Sequence, residues 1–303
     1  MFTRELFEPL VRDRLEAEKI AAPTTTYWKD AWRRLKQNRL AVIGIIVIGI
    51  LTLMAILGPH MTGYSYSDQN LTLVNKAPSA SHWFGTDSLG RDLFTRVWYG
   101  ARISLTIGLV TSLIVLIIGV TYGGISGYAG GRIDEVMMRF VEVIYAVPFL
   151  LYVILLMVIM EPGLKTIFIA LGICYWVTMA RIVRGQVLSL KEQEYVLAAR
   201  TLGASTWRIL FKHLIPNTMG PIIVVMTFTI PEAIFTEAFL SFLGLGVSIP
   251  KASWGFLANE GVNSISSYPW QLFFPAFFIS ITMLAFNFLG NGLRDALDPR
   301  MRK

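Results

Sequence analysis

The stretch 194–217, EYVLAARTLGASTWRILFKHLIPN, lies between two strongly apolar segments yet carries Glu194, Arg200, Arg208, Lys212 and His213. Its apolar residues recur at helical spacing in two blocks. Tyr195, Ala198, Ala199 and Leu202 fall at i, i+3, i+4 and i+7 and predict one amphipathic helix. Trp207, Leu210, Phe211 and Leu214 repeat that spacing and predict a second. Gly203 suits a sharp break between them because it has no Cβ. Pro216 is expected to end the second helix, since its ring cannot continue the hydrogen-bond ladder. Such a pair has two readings: it rests on the bilayer as an interfacial element, or it offers a short rod of about 15 Å to a partner.

The surrounding composition decides what flanks it. Of 303 residues, 54% are hydrophobic and 16% charged, against about 25% charged in an average soluble domain. Mean hydropathy is +0.56. These values favour one polytopic membrane bundle over soluble domains. Cys174, the single cysteine, sits in an apolar segment, so no disulfide within the chain is possible and it reads as a small buried hydrophobe. The first apolar run begins only at Leu40, behind a charged segment, and is expected to be a retained anchor rather than a cleaved signal.

Crossing about 30 Å of hydrocarbon takes about 20 apolar residues. Six stretches qualify as spans: 40–57, 103–122, 140–160, 167–180 (continuing past Arg181 as an amphipathic end), 220–246 and 272–290. Six spans place both termini on one side. The segments 1–39, 123–139, 181–217 and 291–303 together hold 21 of the 27 Lys and Arg residues, and the opposite side holds six. The basic excess marks the cytoplasm, so both termini and the 194–217 stretch are expected there. Basic residues confined to membrane borders also argue against nucleic acid.

Three regions follow. Residues 1–39 form a cytoplasmic N-terminal segment whose Trp28, Trp32 and Leu35 follow helical spacing, as in an interfacial helix. Residues 40–102 hold the first span and an outer loop long enough to have structure of its own. Residues 103–303 form the transmembrane domain, with a cytoplasmic loop at 189–217.

The order Ala198-Ala199, three residues, Gly203, twelve residues, Pro216 resembles the "EAA" loop of permease subunits of ATP-binding-cassette importers. The family's glutamate falls at Leu197 here and the isoleucine of its ending falls at His213. Three further stretches, GTDSLGRDLFTRVWYGARISL (85–105), FTEAFLSFLGLG (235–246) and NGLRDALDPRMRK (291–303), resemble the C-type permease of dipeptide and oligopeptide importers. The resemblance implies an all-α, type I importer permease fold. It implies a peptide-transporting subunit in the cell membrane that pairs with a second, homologous permease. Two ATP-binding subunits would use ATP and Mg, one docking on Ala198, Ala199, Gly203, Trp207, Leu210, Phe211 and Pro216, and an extracytoplasmic binding protein would deliver the peptide. This chain would bind no cofactor itself. Nickel or antimicrobial-peptide permeases share these motifs and stay open as alternatives.

Other stretches offer less. GTDSLGRD lacks the Gly-Lys-Ser/Thr ending of a phosphate-binding loop. Its glycines read as turn-makers. Asp87, Arg91, Asp92 and Arg96 read as a salt-bridged loop, with contact to the external binding protein as the alternative for the first three. Glu232 and Glu237 lie inside the fifth span, where ionisable groups are costly and mark a path or a partner. They are candidates to line the translocation path, or to couple an ion gradient in a secondary transporter. His60, His82 and His213 are isolated, so no metal site is expected. No nucleophile motif is present, and the chain is not expected to be an enzyme. On this reading Gly203→Pro or Leu210→Glu abolishes solute uptake while the chain still inserts; uptake surviving both changes at normal expression removes the docking role.

Overall fold

The computed structural model describes residues 26–246 and 251–298. The predicted content of 1–25 and of 299–303 lies outside them. The described residues form helices and loops only, apart from one isolated antiparallel bridge between Thr86 and Asp92. The helices are α1 (Tyr27–Gln37), α2 (Arg39–Leu57), α3 (Leu93–Ala129), α4 (Gly131–Ala146), α5 (Phe149–Met160), α6 (Leu164–Cys174), α7 (Trp176–Leu190), α8 (Glu194–Thr201), α9 (Thr206–Arg208), α10 (Ile215–Asn217), α11 (Met219–Phe242), α12 (Trp254–Val262) and α13 (Trp270–Leu297).

Among the described residues, five helical segments are long and apolar enough to cross a membrane, and a sixth results if α4 and α5 are one bent span. The expected third span is thus broken: α4 and α5 meet at 80°. The cause is local. Pro148 has no N–H and forces the residue before it out of helical geometry, and Val147 adopts φ −84°, ψ 126°. The fourth span runs from Leu164 to Leu190 through Tyr175, whose N–H still bonds Leu171 O at 2.9 Å. The second begins earlier than its apolar run. Asp92 accepts the Thr95 N–H at 2.8 Å and starts α3 at Leu93, so the boundary drawn between 102 and 103 falls inside one helix.

α3 is the central element. At 37 residues it is about 55 Å long, and its most extensive contact is with α7. Gly119, Gly123 and Gly127 lie four residues apart, and a Cβ at each would strike α7 at Met179, Ala180 and Arg184 respectively. Such small-residue spacing lets two backbones approach closely in lipid, where dispersion and not water exclusion drives association. Around this seam one core gathers Val115, Met179, Val183, Val187 and Ile222. A second, toward the outer loop, gathers Leu51, Phe94, Trp98, Trp254 and Leu257.

The N-terminal helix departs from its predicted face. Leu35 and Ala31 are buried against α13 and its neighbours, whereas Trp28 and Trp32 are exposed. Lys36 sits 5.2 Å from the Trp32 ring centre, and outward indole beside a basic residue is the composition of a membrane–water border.

The outer loop is held from within. Asp87 accepts from Arg91 Nε at 2.7 Å and from Arg96, and Glu260 of α12 bonds Arg91 Nη2 at 3.0 Å. Arg96 reaches Glu260 as well, at 2.9 Å. Asp92 bonds His82 Nδ1 at 2.8 Å in addition to capping α3. Asp87, Arg91, Asp92 and Arg96 are all buried. The glycines are turn-makers as expected: Gly85 and Gly90 have φ of +79° and +69°. Breaking a buried ion pair costs about 3–5 kcal/mol because the remaining charge is left uncompensated. Asp87→Ala is therefore expected to lower the thermal unfolding temperature of the detergent-purified chain clearly; an unchanged transition shows that the network does not hold the loop.

Candidate functional site

The 194–217 segment folds as two helices, and its first ends in a Schellman motif. Gly203 N–H donates to Arg200 O and Ala204 N–H to Ala199 O, each at 3.0 Å, with Gly203 at φ +77°. A Cβ at Gly203 would meet nothing, so the requirement there is conformational and costs a non-glycine residue about 1–2 kcal/mol. Ser205 caps the second helix by accepting the Arg208 N–H at 3.4 Å.

Pro216 does not end that helix. Ile209–Leu214 is a π-helical turn, in which the Ile215 N–H reaches back to Leu210 O. The wider turn opens the backbone where the Pro216 ring would otherwise meet the carbonyl of Lys212. The helical path then continues through Asn217, whose Nδ2 donates to His213 O at 2.6 Å. The corner into α11 comes at Thr218, with φ −96° and ψ 1°.

Burial divides the apolar residues of the segment in two, and two of the buried ones, Val196 and Ile209, lie on neither predicted face. Val196, Ile209, Leu210 and Leu214 are buried in the core around α3 and α7. Leu210 lies against Gly124 of α3. Outward, Leu202 is 88% exposed and Trp207 60%, and Trp207 stacks on Phe211 with ring centres 5.2 Å apart. Tyr195, Leu197 and Ala198 are exposed with them, and Ala199 is half-buried. The segment is thus a clamp with an apolar outer surface, and Leu210 belongs to the clamp. The base is locked by ions. Asp134 of α4 accepts both Arg184 Nε and Nη2 at 2.6 Å and the Ser126 hydroxyl at 2.5 Å, while Lys191 Nζ bonds Gly127 O at 3.1 Å.

Beside this clamp, two adjoining cavities follow one face of α11. The first, of about 530 Å³, is lined by Asn217, Gly220, Pro221, Val224 and Val225, with Gln186 and Arg294 opposite. The second, of about 420 Å³, continues along Val224, Val225, Phe228, Thr229 and Glu232, facing Tyr145, Phe149, Tyr175 and Thr178. From Asn217 to Glu232 this stripe is about 22 Å long. Arg181 stands 4.5 Å from the Tyr145 ring and Arg294 5.5 Å from the Phe228 ring.

The two candidate carboxylates separate. Glu232 is exposed and lines the cavity. Glu237 lies five residues on, turned by about 140° about the helix axis, and is fully buried. Its Oε1 accepts from Ser241 and Ser253, both at 2.6 Å. Ser253 also caps α12 by accepting the Phe256 N–H at 3.2 Å. Glu237 therefore anchors α12 and does not line the cavity. Asp87, Arg91 and Asp92 are consumed in the buried outer network and offer no free surface.

Sequence reasoning missed several members. Glu260, Asp134 and Arg184 are joined to their partners across 50 or more positions, which no local pattern encodes. The cavity stripe on α11 was legible in principle, as positions 220, 221, 224, 225, 228, 229 and 232 follow the helical repeat.

Comparison with known proteins settles the family. Residues 119–303 match the model of the binding-protein-dependent transport system inner membrane component. Residues 26–78 match the N-terminal transmembrane domain of oligopeptide transport permease C. The chain belongs to the binding-protein-dependent inner-membrane transport component family.

Among similar members of this family, the dipeptide transport system permease protein DppC of Bacillus subtilis is 60% identical over 95% of this chain and 90% of its own length. The oligopeptide transport system permease protein OppC of the same organism is 57% identical over 99% and 98%. OppC of Escherichia coli is 45% identical over 94% and 95%. The fold is shared with a solved structure of the MetNI methionine ABC transporter in inward-facing conformations, with TM-score 0.51, 17% identity, and 66% of this chain and 94% of that one covered. The chain is thus a multi-pass protein of the bacterial cell membrane with an ABC importer permease fold. The longer family match starts inside α3 and takes in the glycine seam, the clamp and the cavity stripe.

The clamp-and-surface division is open to test by substitution. Leu210→Glu puts a charge into a packed core and is expected to lower the unfolding temperature of the purified chain. Trp207→Glu and Leu202→Glu, both on the outer surface, are expected to leave stability within about 0.5 kcal/mol. Equal destabilisation by all three overturns the division.

Proposed function

We propose that this chain is a permease subunit of an ATP-driven peptide importer, in which a second, homologous permease completes the pathway. Two ATP-binding subunits hydrolyse ATP with Mg, and one of them docks on the outer surface of the 194–217 clamp. An extracytoplasmic binding protein delivers the peptide. The observation that carries this reading is the Leu202, Trp207 and Phe211 surface, exposed on a segment whose other face is fixed in the core. An apolar patch of aromatic anchors that nothing among the described residues covers is what a protein interface buries at its centre. The clamp supplies rigidity: a push on Trp207 is passed to Leu210 and Leu214, and from there to α3, α7 and α11. The names of the relatives, peptide permeases at 57% and 60% identity over nearly the whole chain, support the substrate class.

In this assembly Ala198, Ala199 and Gly203 set the angle of the outer surface, Trp207 and Phe211 make the contact, and Leu210 and Pro216 shape the support behind it. The deciding experiment is purification of the tagged chain from its native membrane in mild detergent, followed by mass spectrometry of what accompanies it. The expected result is a second permease and ATPases with phosphate-binding loops, the ATPases being lost from Trp207→Glu while the permease pair remains. A chain that purifies alone and still transports a solute overturns the proposal.

A further inference from the structure

Of the two cavities along α11, the one that reaches Glu232 carries two charged side chains on its lining among the described residues, Glu232 and Arg294, while Asp298 lines only the adjoining one. The first two do not neutralise one another: no ion pair among the described residues includes Glu232, and the Arg294 guanidinium is placed over the Phe228 ring. A carboxylate at this depth, open to a cavity and lacking a cation of its own, is expensive to keep without a function. Its surroundings are π faces and hydroxyls. Tyr175, Phe149 and Tyr145 line the same space, and the Tyr175 hydroxyl is held by Thr236 at 2.5 Å, one turn along from Glu232. A carboxylate among aromatic faces is suited to a cation, because the ring quadrupole and the charge act with the same sign. The position of Glu237 sharpens the point: its chemistry is the same, but both serine bonds and complete burial remove it from the cavity. α11 thus presents one carboxylate to the space and hides the other.

We propose that Glu232 is the contact in this pathway for the substrate's free amino terminus, so that the cavity favours peptides with an N-terminal ammonium. The inference rests on the peptide-importer reading. A peptide's side chains vary, and its ammonium is the cation every unblocked peptide brings. A charge-assisted bond to it needs one fixed carboxylate and otherwise tolerant walls, which this lining supplies.

The test uses the complete importer in proteoliposomes with saturating binding protein. Uptake of one peptide is compared with uptake of its N-acetylated form. For Glu232→Gln the ratio of free to acetylated uptake is expected to fall roughly tenfold relative to the unsubstituted importer, the size of one good ionic contact. Glu232→Asp is expected to restore most of it. If Glu232→Gln fails to assemble, the pair Glu232→Asp and Glu232→Asn makes the same comparison at one length. A ratio unchanged by removal of the charge, in an importer that still takes up peptide, overturns the role of Glu232 alone. An unsubstituted importer that takes up neither form overturns the peptide reading and the proposal with it.

Discussion

The close approach of α3 and α7 at Gly119, Gly123 and Gly127 is the contact on which the rest of the molecule depends. In lipid no hydrophobic force presses helices together, so association rests on how near the backbones come. Three missing Cβ atoms at one helical spacing give α3 a groove into which Met179, Ala180 and Arg184 fit. Since α7 leads directly into α8, that seam also sets where the clamp begins. The core formed there by Val120, Val183 and Val187 is the one that receives Val196, Ile209, Leu210 and Leu214.

This arrangement makes the 194–217 segment a packed part of the bundle and not a tethered loop. Its inner face is packed, its turn at Gly203 is closed by two backbone hydrogen bonds, and its base is locked by the bidentate Asp134–Arg184 pair. The π turn before Pro216 keeps the rod continuous almost to α11, whose next face lines the cavities. The segment that carries Trp207 is thus joined through packed helix to the face that lines the cavity beside Glu232. On the opposite side, Glu260 and Glu237 both fasten α12, the first to the outer loop and the second to α11.

Polar residues within the bundle thus fall into two groups by what they find near them. Asp87, Asp92 and Asp134 have their oxygens engaged by arginine, histidine, serine or threonine, and Glu237 has one oxygen engaged by two serines; all four hold the structure together. Glu232 has no such ionic partner among the described residues and faces open space. The distinction is one of surroundings, because residue type and spacing are the same for both glutamates of α11.

Much of this was legible in the residues alone. The membrane class follows from composition, the spans from lengths of apolar sequence, and the Gly203 turn from a glycine between two amphipathic blocks; each depends on neighbours a few positions apart. Motif order along the chain was enough to indicate the permease family. What tertiary structure decided is which side of each amphipathic helix has a partner. Periodicity groups Trp207, Leu210, Phe211 and Leu214 on one face, yet only contact with α3 shows that Leu210 points in and Trp207 out. The same holds for the bend at Val147, the helical continuation through Pro216 and the burial of Glu237 under Ser253. Periodicity records that a face is apolar, whereas the identity of what covers it is set by chain segments far away in sequence.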